Sequence, residues 1–112
     1  MTNKPICKTD ADGDKHWLLN GERHRTDGPA VECPDGTKAW FLNDELHRTD
    51  GPAVEHADGD KRWHLNGKRH RTDGPAIEYA NGTKEWYLDD KRVRMEDVLT
   101  DPKDQFWWRM KS

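Results

Sequence analysis

The chain has 112 residues, of which 31% are hydrophobic and 37% are charged, and its formal net charge is −3. This composition is too polar for a thick two-layer core. The near balance of 19 basic and 22 acidic residues also argues against nucleic-acid binding by bulk charge. Six Trp residues argue against disorder, because disordered chains are poor in aromatics. We therefore expect one thin, elongated domain with a narrow apolar stripe.

The N-terminal part contains no signal-peptide pattern, and no apolar run in the chain approaches membrane-spanning length. A cytoplasmic location is the expectation. Cys7 and Cys33 do not form a disulfide framework, and we expect two free thiols. Lys8 occupies the position that corresponds to Val31, so the first hairpin is expected to be incomplete.

A seven-residue signature, His-Arg-Thr-Asp-Gly-Pro-Ala, occurs at 24–30, 47–53 and 70–76. The spacing is 23 residues each time, and a fixed period in this range indicates a repeat array. Tryptophans and turn pairs repeat with the same period. They are Trp17, Trp40, Trp63 and Trp86, with Asp12-Gly13, Asp35-Gly36, Asp58-Gly59 and Asn81-Gly82.

Each unit is predicted to contain three short strands, at 30–33, 37–42 and 45–49 in the second copy. Turns at Asp35-Gly36 and Asn43-Asp44 separate them, and such pairs are typical of two-residue type I′ hairpins. The Asn43-Asp44 turn lacks a glycine and is expected to be looser.

Two-residue turns fix the register, which places Val31 opposite Trp40 and Trp40 opposite His47. The core stripe is thus predicted as a ladder of Trp17, Trp40, Trp63 and Trp86 with His24, His47 and His70. The other face is predicted to be solvated, with a column of Phe41, His64 and Tyr87 that a partner could contact. Arg48 and Arg71 are assigned to that same face as candidate binding residues.

The repeat ends near residue 94, and residues 95–112 are predicted to form a short helical cap. Asp101-Pro102 is a favourable helix start. Trp107 and Trp108 point about 100° apart on a helix, so at least one of them is a candidate contact anchor. The predicted division is a repeat array at 1–94 and a cap at 95–112.

The sequence contains no constellation typical of an enzyme, and we expect neither a catalytic residue nor a cofactor. The signature histidines lie about 10 Å apart if each repeat adds two strands, too far to share a metal ion. The signature aspartates are interpreted as caps of the bend, paired with the signature arginines along one edge. These residues are Asp27, Asp50 and Asp73 with Arg25, Arg48 and Arg71.

The segments at 35–53, 58–76 and 81–92 resemble a divergent MORN repeat, in which Asp-Gly-Pro-Ala replaces the usual Gly-x-Gly. The variant is similar to short repeat proteins of tailed bacteriophages and large viruses. The resemblance implies an elongated array of antiparallel hairpins that acts in protein binding, dimerisation or lipid association, without catalysis of its own.

The expected function is therefore that of a non-enzymatic protein-binding module. If the viral resemblance holds, the module would act in the host cytoplasm as a phage inhibitor of a host defence or replication protein. Two alternatives stay open. One is binding of a phosphate backbone or anionic lipid through the regular Arg and Lys residues, although the interleaved acids argue against nucleic-acid or membrane partners. The other is a self-associating structural protein, such as a homodimer.

Overall fold

The computed structural model describes residues 4–98 and shows an elongated all-β array followed by a short helix. The principal extents are 52 × 31 × 20 Å. The first half contains β1 (Ile6–Thr9), β2 (Lys15–Leu19), β3 (Glu22–Arg23), β4 (Val31–Glu32), β5 (Lys38–Ala39), β6 (Phe41–Leu42) and β7 (Glu45–Leu46). The second half contains β8 (Val54–Glu55), β9 (Lys61–Arg62), β10 (His64–Leu65), β11 (Lys68–Arg69), β12 (Ile77–Glu78), β13 (Lys84–Leu88), β14 (Lys91–Val93) and α1 (Met95–Val98).

Most strands form one antiparallel meander along the long axis. Its order is β1-β2-β4-β5-β8-β9-β12-β13-β14, and β3 also pairs with β2. Successive repeats join directly, since Ala39 is paired with Val31 of its own unit and with Val54 of the next. Each repeat adds two strands, which predicts a pitch of about 10 Å along the array.

The first turn of each unit differs from the prediction by one residue. Val31 is opposite Ala39, not Trp40, and Glu32 is opposite Lys38. The N–H of Gly36 donates to the carbonyl of Cys33 (3.0 Å), and only Gly36 has a positive φ in this loop. This is a three-residue loop with glycine in the left-handed region, in place of a two-residue type I′ turn.

The second turn agrees with the prediction. Asn43 and Asp44 both have positive φ (49° and 68°), as a type I′ turn requires. Phe41 is opposite Leu46, and the N–H of His47 donates to the carbonyl of Trp40 at 3.0 Å. The predicted Trp40–His47 neighbours are therefore confirmed.

The middle strand of the second and third units is interrupted at its tryptophan. The N–H of Trp40 donates to the carbonyl of Ala53 in the next unit (2.7 Å), and Trp63 binds Ala76 in the same way. Beyond this point β6 pairs with β7, and β10 with β11, as separate two-stranded sheets. The hairpin array thus has a main sheet and two small ones, not a single sheet throughout.

The two ends of the described chain are also ordered elements. β1 forms four residue pairs with β2, so the expectation of an incomplete first hairpin is wrong. At the other end, α1 contacts β13 and its Val98 is buried. The beginning of the predicted cap is therefore helical, while the predicted helix start at Asp101-Pro102 lies outside the described residues.

Candidate binding grooves between the repeat loops

The signature arginine connects four groups in each repeat. The guanidinium carbon of Arg48 lies 3.8 Å from the ring centre of Trp40. Its Nε donates to Asp50 (2.9 Å), and its Nη1 donates to the carbonyl of Pro52 and to the carboxylate of Glu55, both at 3.0 Å. The predicted Arg–Asp pairs are confirmed, but the arginine faces the tryptophan and not the opposite side. Arg25 and Arg71 repeat these contacts over Trp17 and Trp63.

The signature glycine and alanine fit around this arginine. A Cβ on Gly51 would lie 2.9 Å from the guanidinium carbon of Arg48, so the glycine leaves space for the side chain. Ala53 is fully buried, and its carbonyl accepts the N–H of Trp40. A side chain at Gly51 would have to displace this guanidinium, and a larger one at Ala53 would have no space in the core.

The signature histidine joins neighbouring repeats. Nδ1 of His47 accepts the backbone N–H of Asn66, at the turn of the next unit, at 2.9 Å. His24 and His70 accept the N–H groups of Asn43 and Asp89 in the same way, both at 3.0 Å. An accepting Nδ1 requires the tautomer that carries its proton on Nε2. Each histidine therefore accepts a hydrogen bond from a backbone N–H in the turn of the next repeat.

Arg94 occupies the equivalent position in the last unit but behaves differently. The residue three positions later is Asp97 in place of the signature glycine, and the chain enters α1. Arg94 is 75% exposed and pairs with Glu96 (3.3 Å) and Asp97 (3.4 Å). The hydrogen bond from this guanidinium lowers the pKa of Asp97. Among residues 4–98, an arginine stacked on a tryptophan thus occurs only with the complete signature.

Two equivalent grooves lie between successive signature loops. Their volumes are about 680 and 700 Å³. Each is lined by one loop and by the tryptophan, leucine, histidine and loop of the following unit. The first groove is lined by Arg25, Thr26, Asp27, Gly28, Trp40, Leu42, His47, Arg48, Thr49 and Asp50. The second is lined by Arg48, Thr49, Asp50, Gly51, Trp63, Leu65, His70, Arg71, Thr72 and Asp73.

The signature threonine is the member of the motif that the fold does not use. Thr26, Thr49 and Thr72 are exposed. Within residues 4–98, none of their hydroxyls forms a hydrogen bond with another residue. All three line the grooves, and Thr49 lines both. The sequence pattern contains this signal, since threonine repeats with the arginine and aspartate at the 23-residue period.

The predicted contact column is mostly covered. Phe41 is half-buried under Arg23, whose guanidinium carbon is 5.1 Å from the ring centre. His64 and Tyr87 are buried, and Arg69 stacks on Tyr87 at 4.3 Å. The expectation that this column is solvated is therefore wrong, because side chains of the preceding repeat lie over it.

The other predicted site residues have different placements. Arg48 and Arg71 line the grooves while their charges are paired within the loops. Trp86 is opposite Val93, and its indole N–H is buried without a partner among the described residues. Trp107 and Trp108 lie outside the described residues.

One cluster of metal-binding residue types was missed by the sequence reasoning. Ligand atoms of Asp10, Asp14 and His16 lie within 4.8 Å of one another. Asp10 is 3.1 Å from Nε2 of His16 and also accepts the backbone N–H groups of Asp12 and Asp14. These residues have metal-ligating side chains, and their mutual hydrogen bonds also close the first loop.

Both cysteines are free thiols, as predicted. Cys7 is exposed, whereas Cys33 is partly buried. Burial raises the pKa of the Cys33 thiol, and a hydrogen bond with Asp14 raises this pKa further.

Comparisons with protein-family models, curated proteins and solved structures give no match to this chain. The resemblance to MORN repeats therefore stays a prediction. Across residues 4–98, the structure contains no helix of the length and apolar character needed to cross a membrane.

Proposed function

We propose that the chain is a non-enzymatic protein-binding module and that the face carrying the two grooves is its binding surface. The observation that carries this proposal is the signature threonine. His47, Arg48, Asp50, Gly51 and Ala53 each serve the joint between repeats, whereas Thr49 is exposed in both grooves, without a hydrogen bond to another of the described residues. A repeated side chain without a use in the fold is a candidate for contact with another molecule.

The chemistry of the grooves supports a protein partner. Each groove combines an indole and a leucine with two arginines, and aromatic residues and arginine are enriched at protein interfaces. The guanidinium groups are paired with carboxylates, so a phosphate would have to compete with Asp50 and Glu55 for Arg48. This competition favours a protein over a nucleic acid or an anionic lipid.

A module without a catalytic step would act by covering the surface of its partner and blocking access to it. If the resemblance to viral repeat proteins holds, the partner is a host protein of defence or replication in the host cytoplasm. A bacterial lysate is therefore the appropriate source for the first search.

The test compares two threonines. Thr49→Trp places a bulky indole at the threonine that lines both grooves, and Thr83→Trp places the same side chain at an exposed hairpin loop that lines neither groove. Immobilised wild type and Thr83→Trp should capture the same partner from a lysate, and Thr49→Trp should lose it. Circular dichroism must show that both variants are folded. Capture of every partner by folded Thr49→Trp would exclude the groove face.

The second candidate function is self-association, which a different observation favours. β1 pairs with β2 on one side, and no strand among residues 4–98 covers its other side. Ile6 on this strand is 65% exposed, and an uncovered strand edge is a template for pairing with a second copy. Sedimentation should then show a dimer that Ile6→Lys dissociates. A wild-type monomer at high micromolar concentration would refute this candidate.

A further inference from the structure

We propose that the grooves bind an extended, polyproline-II-like segment that carries Arg or Lys at every third position. This inference rests on the protein-binding role proposed above. It adds the charge, the conformation and the spacing of the partner segment.

The charge follows from how each signature loop arranges its ions. The side chain of Arg48 is 21% exposed, whereas that of Asp50 is 84% exposed. Arg48 is also shared with the carboxylate of Glu55 on β8, so this cation is paired with two carboxylates while Asp50 stays open to solvent. No lysine of the described chain lines either groove. A partner therefore meets carboxylate oxygens first, and the cation beneath them is already paired. Asp27 and Asp73 repeat this exposure at 84% and 82%.

The conformation follows from the pitch of the array. Equivalent carboxylates recur about every 10 Å, because each repeat adds two strands to the sheet. A polyproline II helix rises about 3.1 Å per residue and returns to the same face every third residue, or about every 9.3 Å. In a β-strand, side chains on one face lie about 6.6 Å apart for every second residue and about 13 Å apart for every fourth. Neither distance matches the spacing of about 10 Å between the carboxylates. The polyproline II period is therefore the extended conformation that fits successive loops.

The floor of the grooves suits the same conformation. Trp40 and Leu42 lie between the first two loops, and Trp63 and Leu65 lie between the next two. Aromatic-lined grooves are a recurrent way of binding extended proline-rich segments, because such segments lose little conformational entropy on binding. The apolar residues of the segment would contact this floor while its cations reach the carboxylates.

The test uses three synthetic proline-rich peptides and titration calorimetry with the full chain. The first peptide carries arginine at every third position. The second has the same composition with the arginines grouped at one end, and the third has glutamate in place of arginine. The variants are Asp27→Asn/Asp50→Asn/Asp73→Asn and Thr49→Trp. Asparagine keeps the Oδ1 acceptor for each arginine Nε, so the triple variant removes charge with little change of structure.

The spaced peptide should bind about tenfold more tightly than the grouped peptide, and the triple variant should lose this preference. Thr49→Trp should abolish binding. Equal affinity for spaced and grouped peptides, or an unchanged preference in the triple variant, would overturn the inference. The inference would also be overturned if the glutamate peptide bound the wild type and Thr49→Trp abolished that binding. This result would still support the grooves as a binding face. If no peptide binds, the inference is wrong, and the lysate comparison decides the broader role separately.

Discussion

The guanidinium of Arg48 covers the indole of Trp40 at 3.8 Å while three oxygen acceptors hold its nitrogens. This stacked pair explains the order of the signature. The aspartate and proline provide acceptors, and the glycine leaves space for the guanidinium. The alanine then returns the chain to the sheet beside the tryptophan. The seven-residue signature is thus largely the description of one half-buried arginine and its surroundings.

Removal of this arginine should destabilise the array. Arg48→Ala is expected to lower the free energy of unfolding by about 2 kcal/mol, since it removes the stacking contact and leaves Glu55 without its partner. Urea unfolding measures this change. Arg94→Ala is the matched control, because Arg94 is 75% exposed, and its effect should be much smaller than that of Arg48→Ala. Equal effects of the two substitutions would contradict the structural role of Arg48.

The close approach of Gly51 to Arg48 leads to a coupling between their substitutions. Gly51→Ala should lower stability by about 1–2 kcal/mol, because the new Cβ would lie 2.9 Å from the guanidinium carbon. In the Arg48→Ala background the same change should be neutral or stabilising, since it then only reduces the freedom of the unfolded chain. A double-mutant cycle by urea unfolding measures the difference. Additive effects would show that the glycine does not accommodate the arginine.

The sequence predicts the period, the all-β class and the second turn, because these depend on local residue preferences. It does not predict the register at Asp35-Gly36. A glycine at positive φ fits both a two-residue and a three-residue loop, and the two choices differ by one residue. That one-residue shift reverses which side chains share a face. The predicted face of Arg48 is wrong for a different reason. β7 ends at Leu46, and the N–H of Arg48 donates to the carbonyl of His64 in the next unit, so the alternation of a strand no longer places this side chain. The grooves beside it are therefore not apparent from the sequence.

The contacts between repeats are also beyond prediction from sequence. The bond from the N–H of Asn66 to His47 joins groups 19 residues apart, and its geometry depends on how the next unit stacks. The turn at Asp90 also depends on a contact with the preceding repeat. A non-glycine residue at positive φ is expected to loosen such a turn. Here, however, Oδ1 of Asp90 accepts hydrogen bonds from both the backbone N–H and the Nε of Arg69. This hydrogen bond from Arg69 also lowers the pKa of Asp90.

The junction between the second and third units differs from its neighbours. Arg69, Tyr87 and Asp90 interact at the last junction, where the arginine stacks on the ring and binds the carboxylate. The equivalent residues at the middle junction are Leu46, His64 and Gly67. The triple variant Leu46→Arg/His64→Tyr/Gly67→Asp should reproduce these contacts. Its free energy of unfolding should exceed the value expected from adding the three single effects by about 1 kcal/mol. Thermal unfolding of the single and combined variants measures this coupling. Its absence would mean that the three contacts are independent.

The buried imidazole at the middle junction predicts a pH dependence. Burial lowers the pKa of His64, and its Nδ1 has no hydrogen-bond partner in the described part of the chain. The unfolded chain then binds a proton more readily than the folded chain. The stability due to neutral His64 is thus present above about pH 6.5 and is lost as the pH falls through the lowered folded pKa.

The measurement for His64 is urea unfolding between pH 7.5 and pH 5. His64→Phe should reduce the slope of stability against pH by up to about 1.4 kcal/mol per pH unit. His56→Phe, at an exposed position, is the control for replacement of a histidine by phenylalanine. An unchanged slope in His64→Phe would show that another group titrates.

The two thiols should differ in their rate of alkylation. Burial raises the pKa of Cys33, with a further contribution from its hydrogen bond to Asp14, so a smaller fraction is thiolate at pH 8. Cys7 is exposed and should react first with iodoacetamide, as mass spectrometry of the modified peptides would show. Asp14→Asn removes a negative charge that raises this pKa and should accelerate Cys33 several-fold without changing the rate of Cys7. An unchanged rate of Cys33 in Asp14→Asn would show that Asp14 does not control this thiol.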